Sequence, residues 1–228
     1  MSTLLLKLAG PMQAWGDSSR HTRRETRQEP TKSGVLGLLA SAQGRRRTDP
    51  IEDLARLRFG VRVDQPGVLT RDFHTAIRWR DGVSMPLSYR YYLADAVFVA
   101  AVEGDGELIE SLADALRRPT FPLYLGRRAC PTSEPVFLDV VEESLEESLT
   151  KAPWAASDWH RKQLGRHVSL LAYMDAAAGC AGEAVHDVPL SFNPERRAYG
   201  WRNVAEFSVR QDNPDGHDEM DFMSLLGG

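Results

Sequence analysis

Apolar and polar positions switch between two periods along the 228-residue chain. Thr3–Ala9 (TLLLKLA) predicts a strand that the Gly10-Pro11 break stops. Val35, Leu36, Leu38 and Leu39 recur at helical spacing. They predict a helix that Ser33 caps and that runs to about Ala42. Gly34 and Gly37 on one side of it permit close backbone approach. Asp49-Pro50 is a good cap and first turn for a short helix over 50–56. From Leu57 to Asp64 the pattern alternates, with Phe59, Val61 and Val63 on one face and Arg58 and Arg62 on the other, as in a strand. Residues 65–92 are less regular, and a turn at Asp81-Gly82 predicts an extended hairpin. Ala94–Val102 reads as a buried strand. Glu107–Arg117 reads as a helix with Leu108, Ile109, Leu112 and Leu116 in one stripe, and Pro135–Val141 as a further strand.

The order to this point is β-α-β-β-α-β, which suits the ferredoxin-like fold used by RNA-recognition domains. The predicted class is α+β: a ferredoxin-like (RNA-recognition-type) domain over 1–141, followed by a smaller, mostly β C-terminal part over 142–228. Residues 142–165 read as an acidic linker or exposed helix. Val168–Met174, Val185–Phe192 and Val204–Val209 read as strands, and 211–228 as an acidic tail.

Composition adds exclusions. Hydrophobic residues at 42% and charged residues at 26% are those of a globular chain, not of a disordered or collagenous one. No run approaches the roughly 20 apolar residues of a membrane span, and the N-terminus lacks the pattern of a signal peptide. Cys130 and Cys180 lie far apart without a CxxC, so the expectation is a cytoplasmic protein with reduced thiols. The net charge of −4 hides two asymmetries. Only Lys7, Lys32, Lys151 and Lys162 are lysines, leaving 24 arginines, whose planar fork suits phosphates and stacks on bases; a high-GC genome also enriches arginine. Residues 1–130 hold 20 basic and 15 acidic side chains, and 131–228 hold 8 and 17, so a basic part (+5) precedes an acidic one (−9). The acidic part is expected to face away from any nucleic acid.

The chain has no GxxxxGK loop, GxSxG elbow or HExxH. Its six histidines show no ligand spacing, and no metal or cofactor is expected. Four constellations remain. Gly10-Pro11-Met12-Gln13-Ala14-Trp15-Gly16 follows the first strand; Trp15 either stacks on a base or packs in the core. Arg20, Arg23, Arg24 and Arg27 lead through Pro30-Thr31-Lys32-Ser33-Gly34 into a helix N-terminus, a physically sensible phosphate site. Residues 71–92 interleave Arg71, Phe73, His74, Arg78, Trp79, Arg80, Tyr89, Arg90, Tyr91 and Tyr92, as suits single-stranded RNA or protein packing. Tyr124-Leu125-Gly126-Arg127-Arg128 offers two arginines to one backbone. A general acid or base for RNA cleavage would be His74, His21 or Tyr89.

LAGPMQAWG (8–16), PTKSG with VLGLL (30–39), DFHT (72–75) and YLGRRACP (124–131), in that order, resemble the CRISPR-associated CasD family. This is the family-five backbone protein of the type I-E Cascade complex. The match covers roughly the first 140 residues; beyond them only LSFNPERRAYGWRNV (190–204) is similar. The resemblance implies a non-catalytic subunit with a protruding hairpin thumb, here about 70–93 and short. It also implies that the subunit holds the 5′ handle of the CRISPR RNA and contacts the family-seven backbone subunit and the large subunit. Target DNA would be met only indirectly. By the same resemblance the expected RNA-binding residues are Gly10, Met12, Gln13, Trp15, Arg24, Thr31, Lys32, Ser33, Arg90, Tyr124, Arg127 and Arg128, and the basic loop and the hairpin add Arg27, Phe73 and His74. Two other readings stay open: a metal-independent endoribonuclease that processes repeat RNA, and a generic single-stranded RNA binder.

Overall fold

The computed structural model describes residues 1–16, 23–177 and 179–217. Its elements in chain order are β1 (Ser2–Ala9), β2 (Met12–Gln13), β3 (Arg23–Arg24), α1 (Lys32–Ala42), α2 (Glu52–Ala55), β4 (Arg58–Gln65), β5 (Val68–His74) and β6 (Ser88–Ala94). They continue with β7 (Val97–Gly104), α3 (Gly106–Arg117), β8 (Phe137–Val141), α4 (Leu145–Lys151), α5 (Asp158–Arg161), β9 (His167–Asp175), β10 (Glu183–Ser191) and β11 (Ala198–Asp212). This is a mixed α+β architecture. Seven strands form one antiparallel sheet in the order β10-β11-β9-β4-β7-β1-β8. A second, small sheet holds β2, β6 and β3, with β5 paired to β6 as a hairpin.

The near-continuous apolar run of β1 has a direct cause: both faces of the central strands are covered. Leu4, Leu6 and Leu8 pack with Phe59, Phe98 and Val102 under α1 and α3. Leu5, Val99 and Ala101 point the other way and pack against Leu145 and Leu149 of α4. Helix α3 matches its predicted stripe, with Asp105 capping the amides of Glu107 and Leu108.

Several expectations change. The cap of α1 is Thr31, whose hydroxyl accepts from the Gly34 amide, not Ser33. α2 spans only 52–55, and no side chain caps it. The expected strand 94–102 is interrupted: Asp95 takes a positive φ of 55° and turns the chain from β6 into β7. Arg62, expected on a polar face, is fully buried. It pairs with Asp64 and donates to the carbonyls of Leu149, Ala152 and Pro153. Of the two readings of 142–165, a helix forms over Leu145–Lys151, and it is not wholly exposed. Ser144 and Glu147 form a capping box, and Leu145 and Leu149 are fully buried, each contributing roughly 1.5–3 kcal/mol. The strands after 165 run longer than expected, and β9 pairs with β4, so both parts of the chain share one sheet. At the end of the chain, His217 bridges to Gly165, and residues 218–228 of the expected tail lie outside the described residues.

Candidate nucleic-acid interface

Three of the four sequence constellations, and the base of the fourth, meet at one end of α1. The Ala14 amide donates to the Leu125 carbonyl, which lays the 124–131 loop on the segment after β1. Gly126 makes this approach possible. Its φ is +86°, and a Cβ there would lie 1.8 Å from the Ala14 carbonyl oxygen. Gly10 has the same kind of role, because a Cβ on it would sit 2.7 Å from the Pro131 carbonyl oxygen. The Arg27 amide donates to the Trp15 carbonyl, and β2 and β3 both pair with β6 of the hairpin.

Many of the expected RNA contacts turn inward. Gln13 is 0% exposed; its Nε2 donates to the carbonyls of Leu8 and Ala96, and its Oε1 accepts from Trp15 Nε1. Trp15 is 1% exposed, and its ring packs on Gly34, where a Cβ would come within 2.8 Å of it. These two side chains support the surface from beneath and cannot stack on a base. Thr31 and Lys32 are also buried. The anion expected at the N-terminus of α1 is already present, because Asp187 accepts from the Lys32 amide at 2.7 Å. Lys32 Nζ meets Asp175 at 2.9 Å, and Arg202 bridges Asp175 and Asp187. Burial works against the charge of Arg202, but these two carboxylates raise its pKa. Arg127 spends its donors on the carbonyls of Tyr91, Arg24 and Glu25 and lies over the Tyr92 ring. Arg27 pairs with Glu29. Arg20 and His21 lie outside the described residues.

What remains on the surface is a groove of about 610 Å³. Ser33, Gly34, Gly37, Ala40 and Ser41 of α1 form one side together with Leu38, which is itself buried, so mostly small residues leave room for a strand. Phe121, Tyr124 and Phe192 supply aromatic edges or faces, with Phe192 placed against Gly37. Five arginines complete the lining: Arg45, Arg46, Arg47, Arg128 and Arg197. Arg45 is fixed by Asp53, whose hydrogen bond raises the guanidinium pKa while Arg45 lowers that of the carboxyl. The other four are exposed and make no ion pair among the described residues. Unpaired arginines beside aromatic rings over a floor of small residues can grip phosphates and stack bases. Among the described residues no group of histidine, cysteine and carboxylate side chains could hold a metal ion.

The hairpin carries the rest. Met12 is exposed opposite Ala94, and Arg24 is exposed beside Arg90. Arg90 Nε is buried with no hydrogen-bond partner among the described residues, although Asp72 sits across the strand pair. Such an atom is satisfied by water or an anion oxygen. Asp72 turns instead to His74, at 3.1 Å, a partner absent from the sequence reading. Phe73 is exposed, Arg71 lies over the Tyr89 ring, and Trp79 at the tip is 91% exposed.

The sequence reading passed over Arg45–Arg47, Phe121, Phe192 and Arg197 as site residues. The signals were there: an Arg-Arg-Arg run closing a small-residue helix, and Arg196-Arg197 following an aromatic strand end. Asp187 fills the helix N-terminus, and the groove lies farther along α1.

Residues 3–205 match the model of the family described as CRISPR-associated protein (Cas_Cas5). The chain is 36% identical over 165 residues to the CRISPR system Cascade subunit CasD of Escherichia coli strain K12, covering 63% of this chain and 73% of that protein. Among solved structures, a CRISPR RNA-guided surveillance complex contains a chain 32% identical, with a TM-score of 0.76 over 98% of this chain and 97% of that one. A crystal structure of a Cas protein is 38% identical, with a TM-score of 0.72 over 95% and 98%.

Proposed function

Because the chain belongs to the CRISPR-associated protein (Cas_Cas5) family, we propose that it is a non-catalytic crRNA-binding subunit of a type I-E Cascade complex in antiviral defence. In this reading it caps the 5′ handle of the crRNA and anchors the family-seven backbone subunit and the large subunit. The observation that carries the RNA reading is the groove along α1, with Arg46, Arg47, Arg128 and Arg197 exposed and without an ion pair among the described residues, beside Tyr124 and Phe192. The strands β8-β1-β7-β4 with α1 and α3 support a ferredoxin-like reading of the N-terminal part, 1–141. The hairpin β5–β6 is read as the thumb. Its exposed Val68, Leu69, Ile77 and Trp79 suit a protein neighbour better than water.

The test is protection of the crRNA 5′ end in purified complex. Replacing Arg46, Arg47 and Arg128 together by Ala should expose the handle to nuclease and flatten the salt dependence of binding by about two units of log–log slope. Full protection in this variant would overturn the assignment. The His74–Asp72 pair favours a second reading, a ribonuclease in which an oriented imidazole accepts the 2′-hydroxyl proton. Cleavage of repeat RNA by the isolated protein, lost in His74→Ala, would replace the first reading with this one.

A further inference from the structure

An aromatic surface stands on β10 and β11, the two outermost strands at one end of the large sheet. Trp201 is 70% exposed. The His186 ring lies 4.7 Å from it at a tilt of 32°, and the Tyr199 ring lies edge-on to His186 at 6.2 Å. His186 is held in place, because its Nε2 lies 3.0 Å from the Tyr199 carbonyl oxygen and donates to it in that tautomer. Tyr199 and Trp201 are two residues apart on one strand, so they share a face at a spacing of about 7 Å. The segment that supplies them begins at the groove: Phe192 and Arg197 line it, and β11 starts at the next residue.

We propose that single-stranded RNA leaving the groove at Arg197 continues onto this surface, where Tyr199 and Trp201 each stack one base and His186 braces them. The inference rests on reading the groove as an RNA site. Three observations favour RNA over a protein partner. The rings are prearranged with an open Trp face, as on the sheets of RNA-recognition domains. Arg196 and Arg197, both exposed, precede them and can follow the phosphates. The nearest carboxylate on the paired strand, Asp187, is turned inward and neutralised by Arg202, so it does not repel the backbone.

The test uses the full chain and two fluorescent single-stranded RNAs. One has about five nucleotides, enough for the groove, and the other extends it by about three on either end. Trp201→Ala should weaken the longer RNA about tenfold, leave the shorter one unchanged and leave the salt dependence of both unchanged. Trp201→Phe should restore most of the loss. If Trp201→Ala binds both RNAs like wild type while Arg128→Ala weakens both, the surface is not an RNA site and the groove reading stands. If neither variant weakens either RNA, the groove reading fails and the inference falls with it. If Trp201→Ala keeps its RNA affinity but loses binding to purified backbone or large subunit, the surface is a protein contact and the inference is overturned.

Discussion

Arg127 and Arg128 are neighbours in one loop and have opposite fates. Arg127 donates to three main-chain carbonyls from β6 and the β3 segment, so its charge is spent on holding the loop in place. Arg128 is exposed in the groove and makes no ion pair among the described residues. The salt dependence of RNA affinity separates these roles. Arg128→Ala should lower the log–log slope by about 0.7, the increment for one phosphate on a single strand. Arg127→Ala should weaken RNA binding with the slope unchanged and lower stability by about 1 kcal/mol, because one half-buried carbonyl and two exposed ones lose a charged donor. Titrations at three salt concentrations and a urea melt of each variant check both. Gln13 makes the same point in the core. Gln13→Leu strands two carbonyls and the Trp15 indole, and should cost about 2–3 kcal/mol of unfolding free energy. From sequence, an arginine or glutamine near a glycine-rich turn is a candidate ligand contact. Whether its donors are already used depends mostly on carbonyls more than thirty residues away, such as Ala96 for Gln13 and Tyr91 for Arg127, which no local pattern records.

At the scale of elements, what could be read locally was read well. β1, α1, α3 and β4 follow from apolar spacing and turn residues, since each is decided within about ten positions. Helix α4 is one of the two readings of 142–165, but its acidic face dominates the sequence, while Leu145 and Leu149 find the sheet only in three dimensions. The N-terminus of α1 is the clearest case of distance deciding function. Asp187 on β10 takes the place that a phosphate would occupy, and Lys32, Asp175 and Arg202 complete a buried network that joins α1 to β9, β10 and β11. Arg202→Met should cost about 3 kcal/mol, since Asp187 loses its charged partner and keeps only the Lys32 amide, while Asp175 keeps Lys32; a denaturant melt measures it. At the other end of α1, the Arg45–Asp53 pair sets a pH window. The hydrogen bond from Arg45 lowers the pKa of Asp53 below its unfolded value. Its contribution is therefore fully present above about pH 4 and is lost as pH falls through the lower folded value. Both groups are largely solvated, so the effect is small. Thermal melts from pH 7 to pH 3 should show an acid decrement that Asp53→Asn makes slightly smaller, with no difference between the two proteins in slope between pH 5 and pH 8.

For the whole molecule, charge along the chain divided more cleanly than the structure does. The basic part supplies most of the groove, and Phe192 and Arg197 of the acidic part complete its lining. The two parts are also joined physically. β4 pairs with β9, α4 covers Leu5, Val99 and Ala101, and buried Arg62 donates to three carbonyls between 149 and 153. A chain cut after residue 141 would leave Arg62 with only Asp64, open one edge of β4, and expose an apolar sheet face. The buried guanidinium alone would lose three hydrogen bonds to charge, at about 1.5–3 kcal/mol each. Uncovering the α4 face adds the burial of two leucines, roughly 1.5–3 kcal/mol each. The sum reaches the 5–15 kcal/mol that holds an ordinary domain together. A fragment of residues 1–141 should therefore fail to melt cooperatively by circular dichroism, bind a hydrophobic dye and aggregate through β4. Supplying 142–228 as a separate peptide should restore a cooperative transition. A fragment that melts sharply by itself would show that the N-terminal part is an independent domain and that the C-terminal strands are an accessory to it.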